Sequence, residues 1–311
     1  MRWSTYVSPS DNKDRVGLVV GETIHGLAPG LTLIELLRMG GAALQDYAAA
    51  AIDRPSELIE LSRASLRAPV PTPPSIRDFM AFEAHVKTSM RALNRELHPD
   101  WYQLPVFYFT NPVSARGARE AVKISPGSQA FDYELEVAAI IGSPGSDIAV
   151  EDARSHIAGF CLMADWSARD LQAREMQMGL GPSKGKDGAM SFGPFMVTPD
   201  ELEERIVGHS HDMALSAFVN DKPYSSGNLA DIYWSFAEMI SYASRGTRLV
   251  TGDVIGSGTV GTGCIVELRT TSGPEAYPWL SEGDRVRLSA DILGSIDVRI
   301  ERGTEPLPLR R

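Results

Sequence analysis

The chain has 311 residues, of which 43% are hydrophobic and 23% charged, an ordinary balance for a globular protein with room for a large core. A formal charge of −10 argues against a nucleic-acid surface, which needs clustered Lys and Arg, but not against a local basic pocket for a small anion. Two cysteines, Cys161 and Cys264, cannot build a disulfide framework, no apolar run approaches bilayer length, and MRWSTYVSPSDNKDR lacks a signal-peptide core, so the expected setting is cytoplasmic, without a membrane partner.

In chain order, RWSTYV, RVGLVVG and TIHGL read as short strands, followed by helical patterns in LTLIELLRMG and ALQDYAAAAIDRP. Residues 1–68 thus read as a small α+β unit. Four prolines between 69 and 74 mark a semi-rigid linker into a larger unit, 69–311. SIRDFMAFEAHVKTSMRALNREL shows helical spacing, with Ser75 placed to cap it and Asp78 three residues on. Seven residues apart on one helix, Asp78 and His85 would face the same way.

Beyond residue 104 strands dominate: LPVFYF, EAVKI, DYELEVAAIIG, GFCLMAD, GPFMVT, LSAFVN, DVIGSG, CIVELRTT and DRVRLSAD. Helical patterns interrupt at SARDLQAREMQM and DIYWSFAEMISYASR. The fold class is α+β, predominantly β.

DYELEVAAIIG places Asp132, Glu134 and Glu136 on one strand face. A solvated face is the plain reading; the apolar flank VAAII favours burial, and buried carboxylates must be paired or hold a metal. In ADWSARDLQ, Asp165 ends an apolar strand, Ser167 is placed to cap the next helix, and Arg169 and Gln172 share a helix face. Asp165 serves equally well as a turn residue. Two glutamates and an aspartate suit a hard cation (Mg²⁺, Mn²⁺ or Ca²⁺) better than zinc. His209 and His211 read as surface histidines in a polar loop. GLGPSKGKDGAM fails the Walker pattern, because Asp187 follows Lys186, and reads as a mobile loop. Its Lys184 and Lys186 are either solvated or close over a metal-bound anion. His85, among Phe82, Ala84 and Val86, also fits a core histidine.

Together DYELEVAAIIG, ADWSARDLQ, GPSKGKDGAMSFGPFMVT and DVIGSGTVGTGCIVEL, with RDFMAFEAH, resemble the fumarylacetoacetate hydrolase family, larger bacterial type, in the family's order. The resemblance implies a mixed β-roll preceded by a small N-terminal domain, usually as a homodimer. It implies a divalent cation, Mg²⁺ first, held by Asp78, Glu134, Glu136 and Asp165. His85, paired with Glu267, would activate water; Arg169, Gln172 and Lys186 would bind the substrate's dicarbonyl oxygens. Tyr108 and Thr259 match substrate-contacting positions. Asp132 is expected to be a solvated neighbour. Met190 and Gly188 depart from the family's usual Thr and aromatic, and Met80 and Met176 replace substrate-contacting tyrosines with side chains that cannot donate a hydrogen bond.

The implied activity is hydrolysis of a carbon–carbon bond in a small anionic β-diketo acid. The alternative reactions on this fold are decarboxylation, tautomerisation or isomerisation, and hydration of 2-keto acids. A non-catalytic protein with a structural cation is the reading from another class.

Overall fold

The computed structural model describes residues 1–92 and 95–309. Its spine is a pair of long antiparallel strands, Phe131–Ile141 and Ile157–Ala168, at the centre of a thirteen-stranded mixed sheet. On one side the sheet continues through Val254–Gly256, Ile76–Phe79 and Phe107–Thr110. On the other, Met196–Val197 pairs with Arg2–Val7, which brings in the N-terminal strands Asp14–Val20, Thr23–Gly26 and Glu57–Glu60. A five-stranded sheet includes Ala214–Val219, Arg285–Ala290 and Gly294–Glu301. No helix among the described residues is long and apolar enough to cross a membrane.

All eleven residues of Phe131–Ile141 are buried, and alternation divides them between two layers. Tyr133, Leu135, Val137 and Ala139 join the core formed with the five-stranded sheet. Ala138 and Ile140 join a second core with Trp3 and the helices α1 (Leu33–Arg38) and α2 (Gly41–Asp53). The acidic residues Asp132, Glu134 and Glu136 precede Ala138 on that same face. The site therefore begins where the second apolar layer ends.

Several local expectations change. The helix expected from Ser75 begins later: Ile76–Phe79 is a strand, and α3 spans Glu83–Ala92. Residues 93 and 94 of that expected helix lie outside the described residues. All four residues of Ile76–Phe79 are buried, and pairing on both edges overrides their helical periodicity. The Ser75 hydroxyl donates to Asp253 (2.7 Å) and caps no helix. Asp78 and His85 therefore belong to different elements. Ser167 stays buried in the long strand, and α4 (Arg169–Met176) starts after Ala168 without a side-chain cap.

CIVELRTT, expected as a strand, is the helix α6 (Ile265–Ser272). Its β-branched residues suggest strand, but the first turn finds an acceptor elsewhere in the fold. Asp132 accepts hydrogen bonds from the Ile265 and Val266 amides (2.7 and 3.1 Å) and from Arg169 Nε (2.8 Å). Asp132 is thus fully buried, contrary to its expected solvation. The helix α5 (Phe236–Ser244) matches the pattern in DIYWSFAEMISYASR and opens with a capping box from Ser235 and Glu238.

Asp132→Ala would leave a buried guanidinium and two helix-terminal amides short of an acceptor. Urea unfolding should show a loss of about 3 kcal/mol. A loss below about 1 kcal/mol would mean that α6 is anchored by other contacts.

Candidate active site

Register brings the acids together. Glu134 lies directly opposite Asp165, and Ala138 pairs with Gly256, which in turn pairs with Asp78. One oxygen from each of Asp78, Glu134, Glu136 and Asp165 lies within 4.8 Å of the others, and all four residues are buried. The solvated-face reading of Glu134 and Glu136 is overturned, since they are 5% and 0% exposed. Gly256 makes the approach feasible: a Cβ there would collide with Asp78 Oδ1 and with Met163.

Like charges opposite one another in a buried ladder repel, so something must offset them. Lys186 reaches both Glu134 and Asp165, the latter at 2.6 Å. It is 4% exposed, whereas Lys184 on the same loop is exposed and pairs with Asp187 at 2.8 Å. Arg169 bridges Asp132 and Glu134, both at 2.8 Å. Two cations serve five carboxylates. Asp78 Oδ1, Glu136 Oε2 and Asp165 Oδ1 remain buried without a hydrogen-bond partner. Three orphaned hard oxygens on carboxylates that converge fit a hard divalent cation, and the cluster could hold one.

The same imbalance governs protonation. Burial, then the charge of Asp165, pushes the Asp78 carboxyl up to about 8. Burial and the neighbouring acids push Glu136 well above the carboxylate range. Burial would raise Glu134 too, but Lys186 and Arg169 outweigh it and hold that carboxyl low.

Beside the cluster lies a cavity of about 220 Å³. His85 enters it from α3, and its Nδ1 lies 2.9 Å from Glu267 Oε2 on α6. Glu267 Oε1 accepts from the Thr262 amide (3.3 Å) and Oε2 from the Cys264 thiol (3.3 Å), which fixes the carboxylate. Gln172 lines the cavity, with its Oε1 accepting from Arg169 (3.1 Å). Tyr108 lines it as well, but donates its hydroxyl to Asp165 (2.5 Å). Thr259 donates weakly to Glu136 (3.4 Å). Met80 and Met176 form apolar wall. Asp165, Arg169 and Glu267 stand behind the cavity surface, so Arg169 acts on the site through Glu134 and Gln172.

The sequence reading missed Asp132 as the tie between Arg169 and α6, and missed Cys264 beside the His85–Glu267 pair. The DYELE alternation did place Asp132 on the acidic face. Nothing in the sequence showed that α6 would dock there. Met190 is fully buried in the second core and pairs with Asp165 in the ladder, so no hydroxyl joins the cluster at that position. His209 is exposed and His211 packs edge-on to Phe160, apart from the cavity.

The family profile described as fumarylacetoacetate (FAA) hydrolase C-terminal matches residues 75–301. The chain belongs to this family. It is similar to the oxaloacetate tautomerase YisK of Bacillus subtilis (strain 168), 28% identical over 247 residues, covering 79% of this chain and 76% of that protein. A probable 2-hydroxyhepta-2,4-diene-1,7-dioate isomerase from Mycobacterium abscessus superposes with a TM-score of 0.73 at 25% identity, over 98% of this chain and 100% of that one. A maleylpyruvate hydrolase from Sphingobium sp. SYK-6, in complex with manganese (II) ion and pyruvate, shares the fold with a TM-score of 0.73 at 22% identity, over 98% and 100%.

The raised Asp78 carboxyl gives a sign for metal linkage. Folded Asp78 keeps a proton that the unfolded chain releases in the ordinary carboxylate range. The metal-free protein therefore loses stability as pH rises from that range through about 8. A cation held by these carboxylates would take the proton's place. Thermal unfolding with and without Mg²⁺ should show a stabilisation that grows from about pH 5 to about pH 8. A gain that does not change with pH would contradict cation binding at these carboxylates.

Proposed function

We propose that this chain is a divalent-cation-dependent hydrolase that cleaves a carbon–carbon bond in a β-diketo acid of the acylpyruvate type. The observation that carries this reading is the His85–Glu267 pair at 2.9 Å, facing the same cavity as four converging carboxylates. A cation held by Asp78, Glu134, Glu136 and Asp165 would supply Lewis-acid stabilisation of negative charge developing on the substrate's oxygens. Mg²⁺ is the first candidate, with Mn²⁺ and Ca²⁺ as substitutes, because every donor is a hard oxygen.

The side chains divide the remaining work. Glu267 accepts the Nδ1 proton of His85, which fixes the tautomer and leaves Nε2 free to take a proton from water. Arg169 occupies Gln172 Oε1, so the Gln172 amide nitrogen is left to donate into the cavity. Lys186 brings fixed positive charge to the cavity wall, where charge on the departing fragment is stabilised. Once carbon–carbon cleavage begins, the proton held on His85 is available to the departing carbon.

A second reading, tautomerisation of an oxaloacetate-like acid, is favoured by the similarity to YisK. The same imidazole would then move a proton on carbon and break no carbon–carbon bond. The products discriminate: pyruvate with a carboxylic acid for hydrolysis, keto–enol exchange alone for tautomerisation.

A homodimer is also part of the proposal. Phe107–Thr110 ends the large sheet, and Phe109, Val113 and Leu180 are 61%, 70% and 92% exposed, apolar side chains that a second copy of the chain would cover. Sedimentation should give twice the chain mass, and a monomer at micromolar concentration would contradict this.

With acetylpyruvate as substrate, His85→Ala should lower kcat by about a hundred- to ten-thousandfold while Mn²⁺ binding persists. Retention of full turnover in that variant would remove the general-base assignment.

A further inference from the structure

A second cavity of about 380 Å³ adjoins the first, and Met80 and Val106 line both. Its remaining wall is largely apolar: Val86, Met90, Leu97, Trp101 and Leu104. On α3, His85 faces the first cavity, while Val86 and Met90, one helical turn apart, face the second. The shared wall is fixed in place, because Trp101 Nε1 donates to the Met80 carbonyl (3.0 Å) and Trp234 Nε1 donates to the Trp101 carbonyl (3.1 Å). The ionisable residues at this cavity are Arg95, Glu96, His98 and Asp100, all exposed, with two acids against one arginine and with His98 and Asp100 3.6 Å apart.

We propose that this second cavity is the subsite for the acyl tail of the substrate, and that the tail is a hydrocarbon chain rather than one ending in a second carboxylate. The proposal rests on the hydrolase reading and specifies its substrate class. The attacked carbonyl sits beside His85 in the first cavity. The keto-acid half lies among Lys186, Gln172 and the carboxylate cluster. The tail runs past Met80 and Val106 into the space lined by Val86, Met90 and Leu104. A carboxylate there would lose its hydration against thioether and aliphatic surface, whereas each methylene would gain from burial.

The test is a series of acylpyruvates from acetyl to decanoyl, with one chain ending in a carboxylate. In the wild type, kcat/KM should rise about three- to fourfold per added methylene until the cavity is full. Leu104→Trp, which fills a site already 40% exposed, should collapse the ratio of octanoyl to acetyl turnover. Met90→Ala should extend the longest chain accepted. A flat dependence on length, or a preference for the carboxylate-ended chain, would overturn the subsite. If no acylpyruvate is cleaved, the hydrolase reading fails instead. Calorimetric binding of pyruvate, 2-oxohexanoate and 2-oxodecanoate to the Mg²⁺-loaded protein then decides the subsite separately. Affinity that grows with length supports it, and affinity that does not overturns it.

Discussion

Everything about this site follows from placing four carboxylates around one buried point. Repulsion within such a group would ordinarily push strands apart or drive the side chains towards solvent. Here strand register prevents both. Glu134 and Asp165 are opposite partners in a ladder whose flanking residues are fully buried, so neither side chain can leave without disrupting the two cores. Asp78 arrives through Gly256, the neighbouring backbone position that lacks a side chain to exclude it. Lys186 and Arg169 offset part of the charge, and the three orphaned oxygens mark the part left over.

That electrostatic arrangement is tied mechanically to the groups proposed to do chemistry. Asp132 holds Arg169 with one carboxylate oxygen and the first turn of α6 with both. Because α6 carries Glu267, the strand that supplies two of the clustered acids also positions the partner of His85. On the opposite wall, α3 presents His85 to one cavity and Val86 and Met90 to the next. A single helix thus sets the distance between His85, the proposed general base, and the apolar surface.

Much of this was legible in the sequence for a definite reason. Strand alternation has period two, so D-Y-E-L-E places its acids on one face in any context, and a strand ending at Asp165 needs only the right register to meet them. The residues that failed to read correctly depend on partners far along the chain. Asp132 looks like a solvated neighbour until α6, more than 130 positions away, docks on it. Ile265 and Val266 read as strand because their helix draws its first-turn acceptor from that same aspartate. Ser75 and Ser167 carry the right chemistry for helix caps but lie within or against sheet, where ladder pairing decides their conformation. Lys186 sits in a Gly-rich loop of ordinary appearance, and only the convergence of Glu134 and Asp165 accounts for its burial.

The central claim is that these acids bind one divalent ion at their common point. Anomalous diffraction from crystals soaked in Mn²⁺ tests it directly. One strong peak in contact with Asp78, Glu134, Glu136 and Asp165 is expected. A peak at the neighbouring His85–Cys264–Glu267 group, or none near either, would contradict it.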